Sequence, residues 1–256
     1  MFKDILNNLP MMLLALPSIL LSLSVHEAAH GFAAYKLGDN TARNLGRLTL
    51  NPIKHINPIG FISMLFFRVG WANPVPINTR NFKNPRRDMA ISAAAGPLSN
   101  LCLGVVFTVL LRLILIPLQS IAKGMYRVHG QYYFLDPSLQ ENTAFVILSV
   151  LAIICYLGIS LNFNLMIFNL IPLPPLDGSR IAYIFLPTNL YFKIMQYERY
   201  IMIAFIVLLA SGIVDLPLGL ITDGLSEFLF SILGVDEDLL TVVYSDIARR
   251  LPTFSL

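Results

Sequence analysis

Residues 26–30 read His26-Glu27-Ala28-Ala29-His30. On a helix, side chains four positions apart lie on one face, so the two imidazoles can bind one Zn²⁺ ion together. The glutamate between them can then accept a proton from an attacking water molecule. The spacing therefore predicts a hydrolytic metal site, with His26 and His30 as ligands and Glu27 as the base.

This motif lies in a chain with the composition of a membrane protein. The 256 residues are 56% hydrophobic and only 13% charged, whereas soluble domains are about 25% charged. We therefore expect an all-α polytopic membrane protein, with the motif in its first apolar stretch, 11–37. Charged groups inside a bilayer are costly, so their presence there predicts a functional site. A cleavable signal peptide is the alternative for this stretch, but the stretch is longer than a signal-peptide core.

Several apolar stretches are long enough to cross a bilayer, which takes about 20 residues. They are residues 11–37, 89–118, 142–170, 198–214 and 217–234. Residues 59–67 form a further apolar run that is too short to cross, which predicts a re-entrant or interfacial segment. We therefore expect about five to six transmembrane helices.

The basic residues predict the orientation, because Lys and Arg favour the cytoplasmic side. Nine of the eighteen lie from Lys36 to Arg87, at the end of the first stretch and before the second, whereas the 119–141 loop has only Lys123 and Arg127. We expect an N-terminus outside, a site toward the cytoplasm and, after five crossings, a cytoplasmic tail. The expected location is the plasma (inner) membrane of a prokaryote. The basic residues follow the loops, so the lipid bilayer rather than nucleic acid is the expected partner.

A catalytic zinc site usually has three protein ligands. Asp177 is the candidate for the third, because it follows the proline-rich segment 172–175 at the end of the third stretch, near the expected depth of the histidines. Prolines prevent a continuous helix there and can hold a carboxylate toward the site. Two alternatives stay open: His55 is the third ligand, or Asp177 only caps a short helix that begins at Gly178 or Ser179.

The combination of motifs resembles the site-2 protease family of intramembrane zinc metalloproteases, in its short form without PDZ or CBS domains. The resemblance extends over about residues 11–190 and rests on HExxH, on N-x-x-P-x-P-P-L-D-G at 169–178, on the 70–78 and 84–87 loop and on 95–100. It implies one Zn²⁺ per chain, held by His26, His30 and Asp177, with Glu27 as the catalytic base. It also implies a single membrane-embedded protease domain over residues 1–256, with a catalytic core at about 11–190 and additional transmembrane helices at 191–256.

Four other polar residues need an explanation within this picture. Asn169 is a candidate oxyanion stabiliser, and bonding to the carbonyls freed around the prolines is its alternative role. Asn100 is a similar case. Asn162 and Asn164 are expected to form interhelical hydrogen bonds, and Gly96 is expected to allow close helix packing.

A short extended loop is expected near the active site, in the segment Asn73-Pro74-Val75-Pro76-Ile77. Its prolines favour an extended backbone, and Val and Ile suit β pairing. The segment is expected to bind the unwound substrate as an added strand. A plain cytoplasmic loop is the alternative.

The expected function is hydrolysis of peptide bonds within or near transmembrane segments, in regulated intramembrane proteolysis or in cleavage of signal-peptide remnants. The expected substrate is a single-pass membrane protein or a signal peptide, and the oligomeric state is not indicated. Two other classes are considered: a transporter or channel that binds a metal ion in transit, and a non-catalytic relative that binds membrane partners. A transport site has no need for Glu27 between the ligands, and a non-catalytic relative has no need for all four site residues.

Overall fold

The computed structural model describes residues 2–60, 63, 72–122, 125–128, 131–134 and 142–251, and this part of the chain is nearly all-helical. Its α-helices are α1 Phe2–Lys36, α2 Thr41–Asn44, α3 Pro85–Ala122, α4 Thr143–Leu170, α5 Asp177–Ala182, α6 Thr188–Gln196, α7 Glu198–Ala210, α8 Asp215–Leu233 and α9 Glu237–Arg250. Two single 3-10 turns lie at Pro52–Lys54 and Thr79–Asn81. Strands β1 Met125–Val128 and β2 Gln131–Phe134 form an antiparallel hairpin, in which Tyr126 pairs with Tyr133.

Four of the described helices are long and apolar enough to cross a membrane. The candidate spans are Leu9–Lys36, Pro85–Ile121, Thr143–Leu170 and Asp215–Leu233. The last of these has 19 residues, or about 28 Å of helix, close to the thickness of a bilayer's hydrocarbon core. The protein is therefore a multi-pass membrane protein.

The predicted span 198–214 corresponds to α7, which has 13 residues and a length of only about 20 Å. Gly212, whose φ is 73°, lies in the turn just after this helix. The predicted re-entrant segment 59–67 lies almost wholly outside the described residues. A total of five to six spans therefore stays a prediction, beside the four spans found.

Two compact units divide the chain. One comprises Met1–Ile19, Gly104–Leu161 and Ser226–Leu256, and the other comprises Leu20–Leu103 and Asn162–Leu225. All the residues that the sequence predicts for the active site belong to the second unit.

In the first unit, helix α9 contacts strand β2. Near the end of the second span, Gln119 Nε2 donates a hydrogen bond of 2.8 Å to Asp236 Oδ2, just before α9. The start of α9 therefore lies beside the end of the second span. The expected cytoplasmic tail depends on a fifth crossing, for which α7 is short, so the side of the tail stays a prediction.

In the second unit, a chain of buried amides joins three of the spanning helices. Asn162 Nδ2 of α4 donates to Ser22 Oγ of α1 over 2.8 Å, and Asn100 Nδ2 of α3 donates to Asn162 Oδ1 over 2.7 Å. Lipid cannot satisfy polar side chains, so these bonds favour one arrangement of α1, α3 and α4. The expected interhelical bonding of Asn162 is confirmed. That of Asn164 is confirmed too, since it accepts a bond from Thr222 of α8.

Asp39, just after the end of α1, is hydrogen-bonded to residues that follow the extended segment 73–77. This buried carboxylate accepts hydrogen bonds from the backbone N–H and hydroxyl of Thr41, from the N–H of Asn78 and from the side-chain amide of Asn81. Burial by itself raises the pKa of the carboxyl, but these four bonds outweigh it and hold the pKa below its usual range. The bonds fix the far end of the extended segment that begins at Asn73.

Candidate active site and metal centre

Three potential metal ligands converge in the second unit. His26 and His30 lie on α1, and Asp177 is the first residue of α5. The two imidazole Nε2 atoms are 3.0 Å apart, and each lies 3.2 Å from Asp177 Oδ2. Two imidazoles with one carboxylate are a donor set found in catalytic zinc sites, so the residues fit this metal.

Hydrogen bonds on the far side of each imidazole fix the tautomer that metal binding needs. His30 Nδ1 lies 2.7 Å from the carbonyl oxygen of Ser92, which can only accept, so Nδ1 carries the proton. His26 Nδ1 lies 2.5 Å from Asn100 Oδ1. Both Nε2 atoms therefore present a lone pair to the cluster, as in metal sites whose ligands are oriented by their outer partners. The structure gives Asn100 this orienting contact, which the sequence did not indicate.

Gly96 of α3 lies directly against both imidazoles. A Cβ atom at this position would be 2.4 Å from His30 Cε1 and Nε2, and 2.7 Å from His26 Cε1. Only glycine leaves room for the two rings against the α3 backbone. Gly96 thus allows close helix packing, as expected, and the groups that pack against it are the two ligand imidazoles.

The turn between α4 and α5 positions Asp177. Helix α4 ends at Leu170, before the prolines. A Cβ atom at Gly178 would be 2.3 Å from the Leu170 carbonyl oxygen, so α5 begins in direct contact with the end of α4. The N-cap residue of α5 is Leu176, and the Asp177 side chain faces the histidines. Asp177 is therefore not merely a helix cap.

The neighbouring imidazoles favour the ionised form of Asp177. Burial raises the pKa of this carboxyl, but in the metal-free protein the hydrogen bonds and charges of protonated His26 and His30 outweigh it and hold the pKa well below the usual range. A metal ion bound at the two Nε2 atoms would replace those protons as the positive charge beside the carboxylate. The carboxylate is thus available as an anionic ligand at neutral pH.

Glu27 lies between the two histidines and contacts the extended segment. Its Oε2 accepts a hydrogen bond of 2.8 Å from the backbone N–H of Val75. Arg47 holds the same segment from another direction, since its Nη2 donates to the carbonyl oxygen of Asn73 over 2.7 Å. The structure therefore places residues 73–77 directly beside the proposed base.

Two sequence candidates have other partners. His55 is buried, its Nε2 lies 2.8 Å from the carbonyl oxygen of Thr49, and it is not part of the ligand cluster found among the described residues. The side chain of Asn169 donates to the carbonyl oxygen of Leu165, one turn earlier in α4, over 2.9 Å. Its role as an oxyanion stabiliser stays a prediction.

A membrane-crossing helix that bears HExxH, with a carboxylate from a second helix, is the arrangement of a membrane-embedded metalloprotease. The chain matches Peptidase family M50 over residues 14–209. It is 37% identical over 234 residues to YwhC of Bacillus subtilis, which covers 91% of this chain and 92% of that protein. It is 27% identical to Rip2 of Mycolicibacterium smegmatis over 177 residues, which covers 68% of this chain and 57% of that protein.

The names of both relatives assign them provisionally to the zinc metalloproteases. No solved structure matches this chain at a significant level. The chain belongs to peptidase family M50, the site-2 protease family. It is accordingly a metalloprotease, and zinc is its cofactor.

Proposed function

We propose that this protein hydrolyses peptide bonds within or near the transmembrane segments of other membrane proteins. In this proposal His26, His30 and Asp177 hold one zinc ion per chain, and Glu27 is the catalytic base. The observation that carries the proposal is the position of the three donor atoms, which lie within 4.8 Å of one another. Two of them belong to buried histidines on a helix that can cross a membrane. A site in that position suits substrates that are themselves in the bilayer.

In the proposed reaction, Glu27, Val75 and Asn169 each have a separate role. Zinc, when bound, lowers the pKa of a water molecule to about 7 and polarises the scissile carbonyl. The Glu27 carboxylate accepts the proton of the attacking water and returns it to the leaving amine nitrogen. The N–H of Val75 holds Glu27 Oε2 in place for this transfer. Asn169 is proposed to assist the developing oxyanion.

We propose that residues 73–77 contact the substrate, which must be unwound before its peptide bond can be attacked. The adjacency of this segment to Glu27 supports the proposal. Pro74 and Pro76 have no N–H group, and the N–H groups of Asn73 and Val75 are bonded to His55 O and Glu27. Arg47 also donates to the carbonyl groups of Asn73 and Pro74. An added strand would therefore bind chiefly to the later carbonyl groups of the segment and to the N–H of Ile77.

This form of strand addition can be tested at Ile77. Ile77→Pro removes the N–H group, whereas Ile77→Val keeps it and changes the side chain little. We expect slower cleavage by the proline variant alone, with zinc content unchanged in both. Cleavage at the normal rate by Ile77→Pro would show that no strand is added there.

We infer further that the N-terminus lies outside and that the site faces the cytoplasm of a prokaryotic cell, in its plasma (inner) membrane. The nine basic residues from Lys36 to Arg87 support this orientation. The relatives named above are bacterial. The proposed single protease domain, with a core at about 11–190, agrees with the extent of the family match, 14–209.

The proposed substrates are single-pass membrane proteins or signal-peptide remnants. The test is a comparison of peptide fragments from the membranes of cells that express the wild type, Glu27→Gln or Glu237→Gln. Glu237 is exposed on α9, so its substitution is the matched control. We expect fragments cut within transmembrane segments in the wild type and in the control, and their loss in Glu27→Gln. Identical fragments in all three, or cuts only in soluble loops, would contradict the proposal.

A further inference from the structure

Arg86, the second residue of α3, is hydrogen-bonded to the chain at the end of α5, the helix that begins with Asp177. Its Nε and Nη2 donate hydrogen bonds to the carbonyl oxygen of Tyr183 over 3.0 and 2.7 Å, and Nη2 also donates to that of Leu186. The guanidinium carbon lies 4.7 Å from the centre of the Tyr183 ring. Tyr183 is the C-cap residue of α5, the helix that begins with Asp177.

This contact lies at the C-cap of a short helix and adds a bond there from a positively charged group. The last carbonyl groups of a helix have no partner within it, and a cation there also opposes the helix dipole. The planar guanidinium can bond two carbonyl groups at once, which an ammonium group cannot do in the same geometry. Helix α5 has six residues, too few to be stable without external contacts.

Both ends of α5 are therefore fixed from outside. Its first turn contacts the end of α4 at Gly178, and Arg86 binds the carbonyl groups of its C-cap residue Tyr183 and of Leu186 just beyond it. Helix α3 provides Arg86, and it also provides the Ser92 and Asn100 contacts that orient His30 and His26. One helix thus supports all three proposed ligands.

We propose that Arg86 is a positioning residue that keeps Asp177 Oδ2 in place against His26 and His30 by clamping the far end of α5. The proposal rests on the proposed role of Asp177 as a zinc ligand. Its neighbour Arg87 differs, because the Arg87 side chain is 59% exposed and pairs with Asp88 on its own helix. Arg87 is therefore the matched control for loss of one positive charge at this site.

The experiment measures zinc affinity by competition with a chromophoric chelator, in the full chain purified in detergent. The variants are Arg86→Gln, Arg86→Lys and Arg87→Gln, and the visible spectrum of bound Co²⁺ reports ligand geometry in each. Loss of an outer partner typically weakens metal binding about 10- to 100-fold. We expect that loss and an altered spectrum for Arg86→Gln, a smaller loss for Arg86→Lys, and wild-type values for Arg87→Gln.

A double-variant comparison separates action through Asp177 from a general loss of structure. In an Asp177→Ala background, Arg86→Gln should weaken the remaining zinc binding no further, because the ligand that Arg86 positions is already absent. Equal losses from Arg86→Gln in both backgrounds would overturn the proposal, as would wild-type affinity and spectrum in Arg86→Gln. If Arg86→Gln does not fold, wild-type affinity and spectrum in Arg86→Lys would overturn it instead. Full zinc affinity in Asp177→Ala alone would show that the proposed ligand set itself is wrong.

Discussion

The backbone N–H of Val75 donates a hydrogen bond of 2.8 Å to Glu27 Oε2. The Val75 side chain is buried, and its Cγ1 would lie only 3.0 Å from a Cβ atom at Gly31, one turn after Glu27. The extended segment is thus seated on the same stretch of α1 that carries the HExxH motif. The backbone N–H of Val75 therefore orients the proposed base. Of the possible substitutions of Val75, only proline removes this group.

Replacement of Val75 by proline should therefore slow catalysis without loss of metal. Val75→Pro removes the N–H group, whereas Val75→Ala keeps it and only shortens the side chain. Misplacement of a catalytic group by about 1 Å can cost about a hundredfold in rate. We expect a loss of about that size for Val75→Pro and a smaller one for Val75→Ala, measured as the cleavage rate of a membrane protein that the wild type cleaves. A normal rate in Val75→Pro, or loss of its zinc, would contradict this role.

Gly96 should be intolerant of even one added methyl group. Gly96→Ala places a Cβ within 2.4 Å of the His30 ring, so both imidazoles must move. We expect loss of most bound zinc. Gly224→Ala is the control, because a Cβ there meets nothing within 4 Å. In a helix interior alanine is favoured over glycine by up to about 1 kcal/mol, so both metal-free variants should fold. Equal zinc content in the two would refute the close approach at Gly96.

The sequence predicted the proposed metal ligands better than the residues that orient them. The spacing of His26, Glu27 and His30 identifies one helix face, and the prolines before Asp177 identify a break in a span, so both signals are local. The contacts of Ser92 and Asn100 depend on which face of α3 meets α1. Helices in lipid are apolar on all sides, so their sequence gives little indication of that face.

The number of crossings is hard to predict from the sequence for a related reason. Residues 198–214 are apolar enough to suggest a span, but α7 ends at Ala210. A hydropathy pattern indicates where a segment is apolar and not where its helix stops. The side of the tail depends on that single helix, and the bond between Gln119 and Asp236 favours the side of the loop after the second span.

The side of the tail can be tested by labelling introduced cysteines. In a background without Cys102 and Cys155, Ser120→Cys and Asp238→Cys place thiols at exposed positions near the two bonded residues. We expect a membrane-impermeant maleimide to label both from the same side of the membrane. Lys54→Cys, in the basic segment, is the control for the other side. Labelling of positions 120 and 238 from opposite sides would restore the five-crossing topology.

Asp39 should contribute to stability in a pH-dependent way. Because the pKa of its carboxyl is lowered in the folded protein, the carboxylate stabilises the fold above the unfolded pKa of about 3.9. That contribution is lost as the pH falls through the lower folded value. We expect Asp39→Asn to be less stable than the wild type at neutral pH and to lose less stability on acidification.

The measurement for Asp39 is thermal unfolding of metal-free protein followed by circular dichroism, between about pH 7 and pH 3. Asp238→Asn is the control at an exposed position, and its stability should follow that of the wild type. A parallel acid response in Asp39→Asn would show that this carboxylate does not couple folding to protonation.

The most direct test of the account is the zinc content of the purified protein, wild type beside Asp177→Ala and Asp238→Ala. A ligand set that joins two separate helices predicts about one zinc per chain in the wild type and in Asp238→Ala, and clear loss in Asp177→Ala. Full zinc in Asp177→Ala would contradict the account, because the metal would then be held without the carboxylate that the structure places 3.2 Å from both histidines.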